Sequence, residues 1–206
     1  MARSGKRRGY KLSQNAKLPY GLMAELGRVP AGSPPPVHLW EPTNRYAIDL
    51  CIKANGDWVH EGALIERPRL VRLLASVLRR IGEDYFLVTP AEACQITVED
   101  APFLAVSLLS KGQGVNQQLS IITNVGDEIA IGAQHPLTFH ALAEAPVPYV
   151  EVRDGLLAKF NRPCYYDCMG HLAEAGGSDD ASLGLWSGGL FYAVPEMGES
   201  LDGDDA

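Results

Sequence analysis

The stretch Ile48-Asp-Leu-Cys-Ile-Lys53, Ala54-Asn-Gly-Asp57, Trp58-Val-His-Glu-Gly-Ala-Leu-Ile65 decides the reading of the fold. Apolar and polar residues alternate along 48–53, so Ile48, Leu50 and Ile52 share one face and Asp49, Cys51 and Lys53 the other. Asn55-Gly56 supplies the positive φ of a tight turn, which makes 48–65 a hairpin. Arg67-Pro68 then opens a helix. Leu70, Leu73, Leu74, Val77, Leu78 and Ile81 recur at helical spacing and line one face of it. Pro68 suits the first helical position, where its missing N–H costs nothing. Gly82 suits the position just past the end, with Arg79 and Arg80 in the last turn beside the negative end of the helix dipole. Tyr85-Phe-Leu-Val-Thr-Pro90 is a strand ending in proline.

The same order returns later. Val147-Pro-Tyr-Val-Glu-Val-Arg153, a turn at Asp154-Gly155 and Leu156-Leu-Ala-Lys-Phe160 form a second hairpin. Arg162-Pro163 opens a second helix reaching about Ala175, and Leu190-Phe-Tyr-Ala-Val-Pro195 is a last strand. The recurrence predicts an α+β fold of two lobes, with mostly antiparallel strands, two main helices and a duplicated hairpin-helix-strand unit at 48–90 and 147–195. Cys94–Val98, Phe103–Leu109, Leu119–Thr123 and Glu128–Ile131 read as further strands. The last three are joined through Lys111-Gly-Gln-Gly114 and Asn124-Val-Gly-Asp127, both good turn sequences.

Glu99-Asp-Ala-Pro102 reads as a turn at the junction of the lobes. The expected organisation is a flexible leader at 1–37, an N-terminal lobe at 38–98 and a C-terminal lobe at 99–206 ending in an acidic tail. The leader contains the linker-like Ala31-Gly-Ser-Pro-Pro-Pro36. Leu12 to Leu26 allows a short helix, interrupted by Pro19 and Gly21. Between His135-Pro136 and Ala145-Pro-Val-Pro148 no period is legible.

Composition narrows the function classes. Hydrophobic content of 46% with 21% charged residues provides for real cores in a chain of 206 residues. A net charge of −7 argues against a general nucleic-acid binder, which needs a broad basic face. No apolar run reaches the roughly eighteen residues of a membrane-spanning helix. The basic start (Arg3, Lys6, Arg7, Arg8) is not followed by the apolar core of a secretory signal. A cytoplasmic setting follows, in which Cys51, Cys94, Cys164 and Cys168 are expected to be reduced and mostly buried.

Two arginines, Arg67 and Arg162, immediately precede helix starts. A cation there opposes the helix dipole by about 0.3–1 kcal/mol, and a bound anion reverses that penalty. Phosphate or carboxylate would suit the arginine fork. The plainer reading is pairing with Glu66 or Asp167, or simple exposure. Arg153, beside Asp154-Gly155, offers a third cation or a salt bridge with Asp154 or Glu151. Trp58, Phe103, Tyr166 and Trp186 are stacking surfaces for a planar ligand or, more commonly, core. Asn124 would read a polar edge or stabilise a turn. Glu61 would serve as acid, base or arginine partner, and Glu99-Asp100 is a carboxylate pair at a turn.

Several motifs fail. His60-Glu61 is not a zincin site, because position 64 is leucine. Cys164 and Cys168 have helical spacing but no second pair of ligands at zinc spacing. Gly112-Gln-Gly114 lacks the third glycine and following helix of a dinucleotide fingerprint. Ser187 in Gly184-Leu-Trp-Ser-Gly-Gly189 does not sit in a nucleophile elbow. No metal and no cofactor are expected.

Asp57-Trp-Val-His-Glu-Gly62, Ile65-Glu-Arg-Pro68, Tyr85-Phe-Leu-Val-Thr-Pro90, Val98-Glu-Asp-Ala-Pro-Phe103, Thr123-Asn124, Pro148-Tyr-Val-Glu-Val-Arg153 with Gly155-Leu156, and Trp186-Ser-Gly-Gly-Leu-Phe191 together carry a resemblance. From about Trp40 to Val194 the chain resembles the uncharacterised bacterial family known as domain of unknown function twelve eighty-five. The resemblance implies a two-lobed α+β fold with repeated motifs, a cleft for a nucleotide-like ligand and a signalling role. It implies no reaction, so no catalytic residue is carried over. The matching positions whose chemistry suits a cleft are Trp58, Glu61, Arg67, Phe103, Asn124, Arg153 and Arg162.

The leading expectation is a non-catalytic protein holding a small anionic or nucleotide-like ligand between two lobes, with arginines on the anion and aromatics on the ring. One alternative is a hydrolase-like enzyme on a similar ligand, using Glu61 or Glu99-Asp100. Another is a protein-interaction module built on sheet edges or a homodimer face.

Overall fold

The structure, a computed structural model, describes residues 35–141, 145–175 and 182–195. The leader before residue 35, with its expected short helix at 12–26, lies outside them, as do the loop at 176–180 and the acidic tail. The chain divides into two compact units between Pro102 and Phe103.

The N-terminal unit begins with a single 3-10 turn at Val37–Leu39. Its sheet contains β1 (Asn44–Ile52), β2 (Trp58–His60), β3 (Ala63–Leu64), β4 (Leu78–Ile81), β5 (Asp84–Val88) and β6 (Glu92–Val98), in the order β3-β2-β1-β6-β5-β4. As the alternation demands, Leu50 and Ile52 are buried and Asp49 is exposed. The β1–β2 loop is the expected turn. Lys53 N donates to Asp57 O at 2.8 Å, Gly56 N donates to Lys53 O at 2.8 Å, and Gly56 takes φ 85. The stretch 58–65, expected as one strand, is two. Glu61 and Gly62 both have positive φ, 49 and 76, the pattern of a type I′ turn, and fold β3 back on β2.

The first helix, α1 (Pro68–Ser76), starts at Pro68 but is shorter than its apolar pattern predicts. Ser76 Oγ donates to Leu73 O at 2.7 Å, and Val77 leaves helical geometry at φ −105, ψ 8. Residues 78–81, expected as the last helical turn, form β4 and pair with β5 from Leu78↔Leu87 to Ile81↔Asp84. Leu78 satisfies both periods, 3.6 and 2, so spacing alone could not separate them. Burial of the Leu78–Leu87 pair, both 0% exposed, and the β5 ladder decide for the strand. Gly82, with φ 62, is therefore a hairpin residue and not a helix terminator.

The C-terminal unit holds β7 (Phe103–Lys111), β8 (Gln118–Thr123), β9 (Glu128–Ala130), β10 (Leu137–Ala141), β11 (Pro146–Arg153) and β12 (Leu156–Phe160), in the order β10-β11-β12-β7-β8-β9. The unassigned segment after His135 thus supplies an edge strand. A separate sheet, β13 (Ala173–Ala175), β14 (Ser182–Ser187) and β15 (Leu190–Ala193), follows the second helix, α2 (Arg162–Met169). That helix also ends earlier than expected, and 173–175, expected as its end, is strand. Asn161 caps it, accepting from Cys164 N at 2.9 Å.

Both six-stranded sheets are mixed, and they share one topology. In each, two antiparallel three-stranded meanders are joined by a parallel pair formed from the first strand and the last: β1 with β6, and β7 with β12. Read from the edge, β3-β2-β1-β6-β5-β4 corresponds to β9-β8-β7-β12-β11-β10, with the same sequence of strand directions. The order hairpin, Arg-Pro helix, strand does occur at 48–90 and 147–195. However, β5 lies in the sheet of β1, whereas β15 lies in a different sheet from β11 and β12. The equivalence in strand pairing is instead 44–98 with 103–160. The helix sits between the meanders in the first unit and after them in the second.

Candidate functional site

In the N-terminal unit, Trp58 lies on β2 at 1% exposure, against the core strand position Ile52. Its ring belongs to the interior and offers no stacking face. Glu61 stands exposed on the β2–β3 turn at φ 49, a conformation unusual for a residue with a Cβ, and its N–H donates to Asp49 O at 2.9 Å. Arg67 is the exposed N-cap of α1. Its carbonyl accepts from Leu70 N at 3.0 Å and Val71 N at 3.1 Å. Its guanidinium has no hydrogen bond or ion pair among the described residues, so the pairing with Glu66 does not form.

In the C-terminal unit, Phe103, Asn124 and Arg153 come together at the start of β7. Phe103 is fully buried, and the Arg153 guanidinium carbon lies 5.3 Å from its ring centroid. This is cation–π geometry. Burial draws the Arg153 pKa down, while Asp127 and Asp154 oppose the shift. Phe103 is thus a platform for a protein cation and not for a ligand ring. Asn124 takes the turn role: Oδ1 accepts from Leu104 N at 3.0 Å and its own N–H donates to Leu104 O at 2.8 Å. Arg162 opens α2, exposed, with its guanidinium 5.8 Å from the Tyr166 ring centroid and Nη2 3.4 Å from the Tyr166 hydroxyl. It makes no ion pair with Asp167.

The helix starts offer side chains more than backbone. Pro68 and Pro163 have no N–H to give, and in α2 Asn161 already takes Cys164 N with its side chain and Tyr165 N with its carbonyl. An anion at either helix start would therefore meet the guanidinium of Arg67 or Arg162 more than backbone N–H groups.

Among the acidic candidates, Glu99 is engaged. Its Oε1 lies 2.7 Å from Lys53 Nζ and its Oε2 accepts from Ala54 N at 3.0 Å. Ser187, 0% exposed, is structural: Oγ accepts from Leu119 N at 2.9 Å and donates to Ile131 O at 2.8 Å, pinning the β14–β15 hairpin onto β8 and its neighbour. His60, which the sequence offers only as part of a failed zincin motif, is buried at 3% on β2, two residues from Trp58. The signal was its inward register on the face of Leu50.

The model of the DUF1285 N-terminal domain, a domain of unknown function, matches residues 35–101, and that of the DUF1285 C-terminal domain, a protein of unknown function, matches 102–194. The chain belongs to the DUF1285 family. A DUF1285 family protein from Silicibacter pomeroyi DSS-3 is 38% identical with a TM-score of 0.75, covering 84% of this chain and 94% of that one. A second DUF1285 family protein, from Shewanella baltica OS155, is 29% identical with a TM-score of 0.50, covering 61% of this chain and 94% of that one. None of the curated proteins compared matches. The two DUF1285 matches meet within one residue of the division between the structural units. The family carries the fold and leaves the chemistry to the residues. No helix among the described residues is long and apolar enough to cross a membrane.

Proposed function

We propose that this DUF1285 protein is a cytoplasmic, non-catalytic binder of a small anionic, nucleotide-like molecule, and that occupancy is its signal. The observation supporting this is that Arg67 and Arg162 both stand exposed at proline-opened helix starts, with no carboxylate partner among the described residues. Each opposes its own helix dipole there. An anion removes that repulsion, and the exposed Tyr166 beside Arg162 adds an aromatic surface. A binder is favoured over an enzyme because Glu99 is held by Lys53 and Ala54 N.

A thermal-shift screen of mono-, di- and cyclic nucleotides tests the reading. Ligand at 100 Kd adds about 2.7 kcal/mol to stability. Arg67→Ala and Arg162→Ala should each reduce the shift. A screen without any shift removes the basis for the proposal.

A further inference from the structure

Two side chains on β2, two residues apart, carry buried polar atoms with nothing to bond among the described residues. Trp58 is 1% exposed and His60 3%. Trp58 Nε1 and His60 Nδ1 each have no hydrogen-bond partner among the described residues. Native interiors pair nearly all such atoms, so two orphans on one short strand call for a cause. The residues are two apart, which puts both side chains on the same sheet face, about 6.6 Å apart along the strand. Leu50 and Ile52, opposite them on β1, are apolar and give neither a partner.

The chemistry of the missing partner follows from the atoms. An indole N–H can only donate, and imidazole Nδ1 donates in one neutral tautomer and in the cation. One group accepting from both has to present several lone pairs, as an oxyanion does. Three further observations fall in the same short stretch. Ile65 N donates to Trp58 O at 2.8 Å, and two residues further on stands Arg67, exposed and unpaired among the described residues. Glu61, next to His60, takes φ 49 as the first central residue of the type I′ turn that folds β3 back on β2. The carboxylates flanking the pair in sequence, Asp57 and Glu61, are both exposed, and Asp57 accepts from Asn55 Nδ2 at 2.8 Å.

We propose that Trp58 Nε1–H and His60 Nδ1–H are a donor pair for one oxyanion group, a phosphate or a carboxylate, held within the N-terminal unit. The proposal deepens the function given above and rests on it only for the class of the whole ligand.

The test is an NMR titration of the 15N-labelled full chain with inorganic phosphate and, separately, with succinate, at ionic strength matched by chloride. The Trp58 indole resonance is identified by its loss in Trp58→Phe, and the Trp40 and Trp186 indoles serve as internal controls. The expected result is a saturable downfield movement of the Trp58 N–H alone. Movement with phosphate assigns a phosphoryl ligand and movement with succinate a carboxylate, and either supports the pair. Trp58→Phe should weaken that anion roughly tenfold or more. Should that variant not fold, Trp40→Phe and Trp186→Phe assign the other two indoles, the Trp58 resonance follows by elimination, and the wild-type titration still decides. An unmoved Trp58 N–H with both anions overturns the proposal. If nucleotides raise Tm while this resonance stays fixed, the binding reading stands and the donor pair falls. If phosphate moves it and no nucleotide raises Tm, the pair stands and the nucleotide reading falls.

Discussion

Lys53 Nζ lies 2.7 Å from Glu99 Oε1, tying the end of β1 to the residue after β6. The two strands run parallel, with Ile52 opposite Val98, and Glu99 N donates to Ile52 O at 3.0 Å. The carboxylate therefore closes the seam of the N-terminal sheet. The hydrogen bond from Lys53, followed by that from Ala54 N, lowers the Glu99 pKa. A depressed folded-state pKa contributes stability that is present above the unfolded value of about 4.3 and is lost as pH falls through the folded value. Wild type should therefore be more stable than Glu99→Gln at pH 7, and the Tm difference should vanish in acid below the folded pKa. A difference unchanged by acid would contradict this.

Leu74 is fully buried on α1. Leu74→Ala removes that contact and leaves a cavity, at a cost of about 2–5 kcal/mol. Urea denaturation followed by far-UV circular dichroism measures it.

Ser187→Ala leaves the buried Leu119 N–H without the oxygen it donates to at 2.9 Å. An unsatisfied interior donor costs roughly 1–3 kcal/mol. Hydrogen exchange should locate the loss, with the Leu119 amide losing protection while amides of β1 and β6 keep theirs.

Burial pushes the Cys164 and Cys168 thiols up to about 12. Neither ionises appreciably at pH 8, and Cys94 is likewise buried and raised. Cys51 is half-buried. A thiol reagent at pH 8 should label Cys51 first, with the other three reacting only on unfolding. Peptide mass mapping of the time course checks the order.

The strands that alternate cleanly and are bounded by Gly, Asn or Asp were legible in the sequence: 48–52, 103–109, 119–123 and the 147–160 hairpin all occur. Where a residue satisfied both periods, local pattern gave no answer. Leu78 fits the helix of Leu70 and Leu74 as well as a strand, and its partner Leu87 is chosen by tertiary pairing. The parallel pairings β1–β6 and β7–β12, on which the true repeat depends, join distant segments and leave no local mark. For the candidate site, Arg67 and Arg162 were legible because Pro announces a helix start. The aromatic candidates were not, since a Trp or Phe on a strand reads the same whether it faces a ligand or the core. Trp58 and Phe103 both face the core.

Each six-stranded sheet puts its earliest and latest strands side by side at its centre, as Asn44 opposite Glu92 shows. Neither meander has its inner neighbour until the whole unit has been made. A ribosome must therefore release all of β6 before the first sheet can close, and closure then waits on a loop spanning nearly the entire unit, a slow kind of contact to form. Until that moment the inner edges of β1 and β7 lie open to any other strand, so the nascent chain, more than the finished one, is where this protein is vulnerable to aggregation.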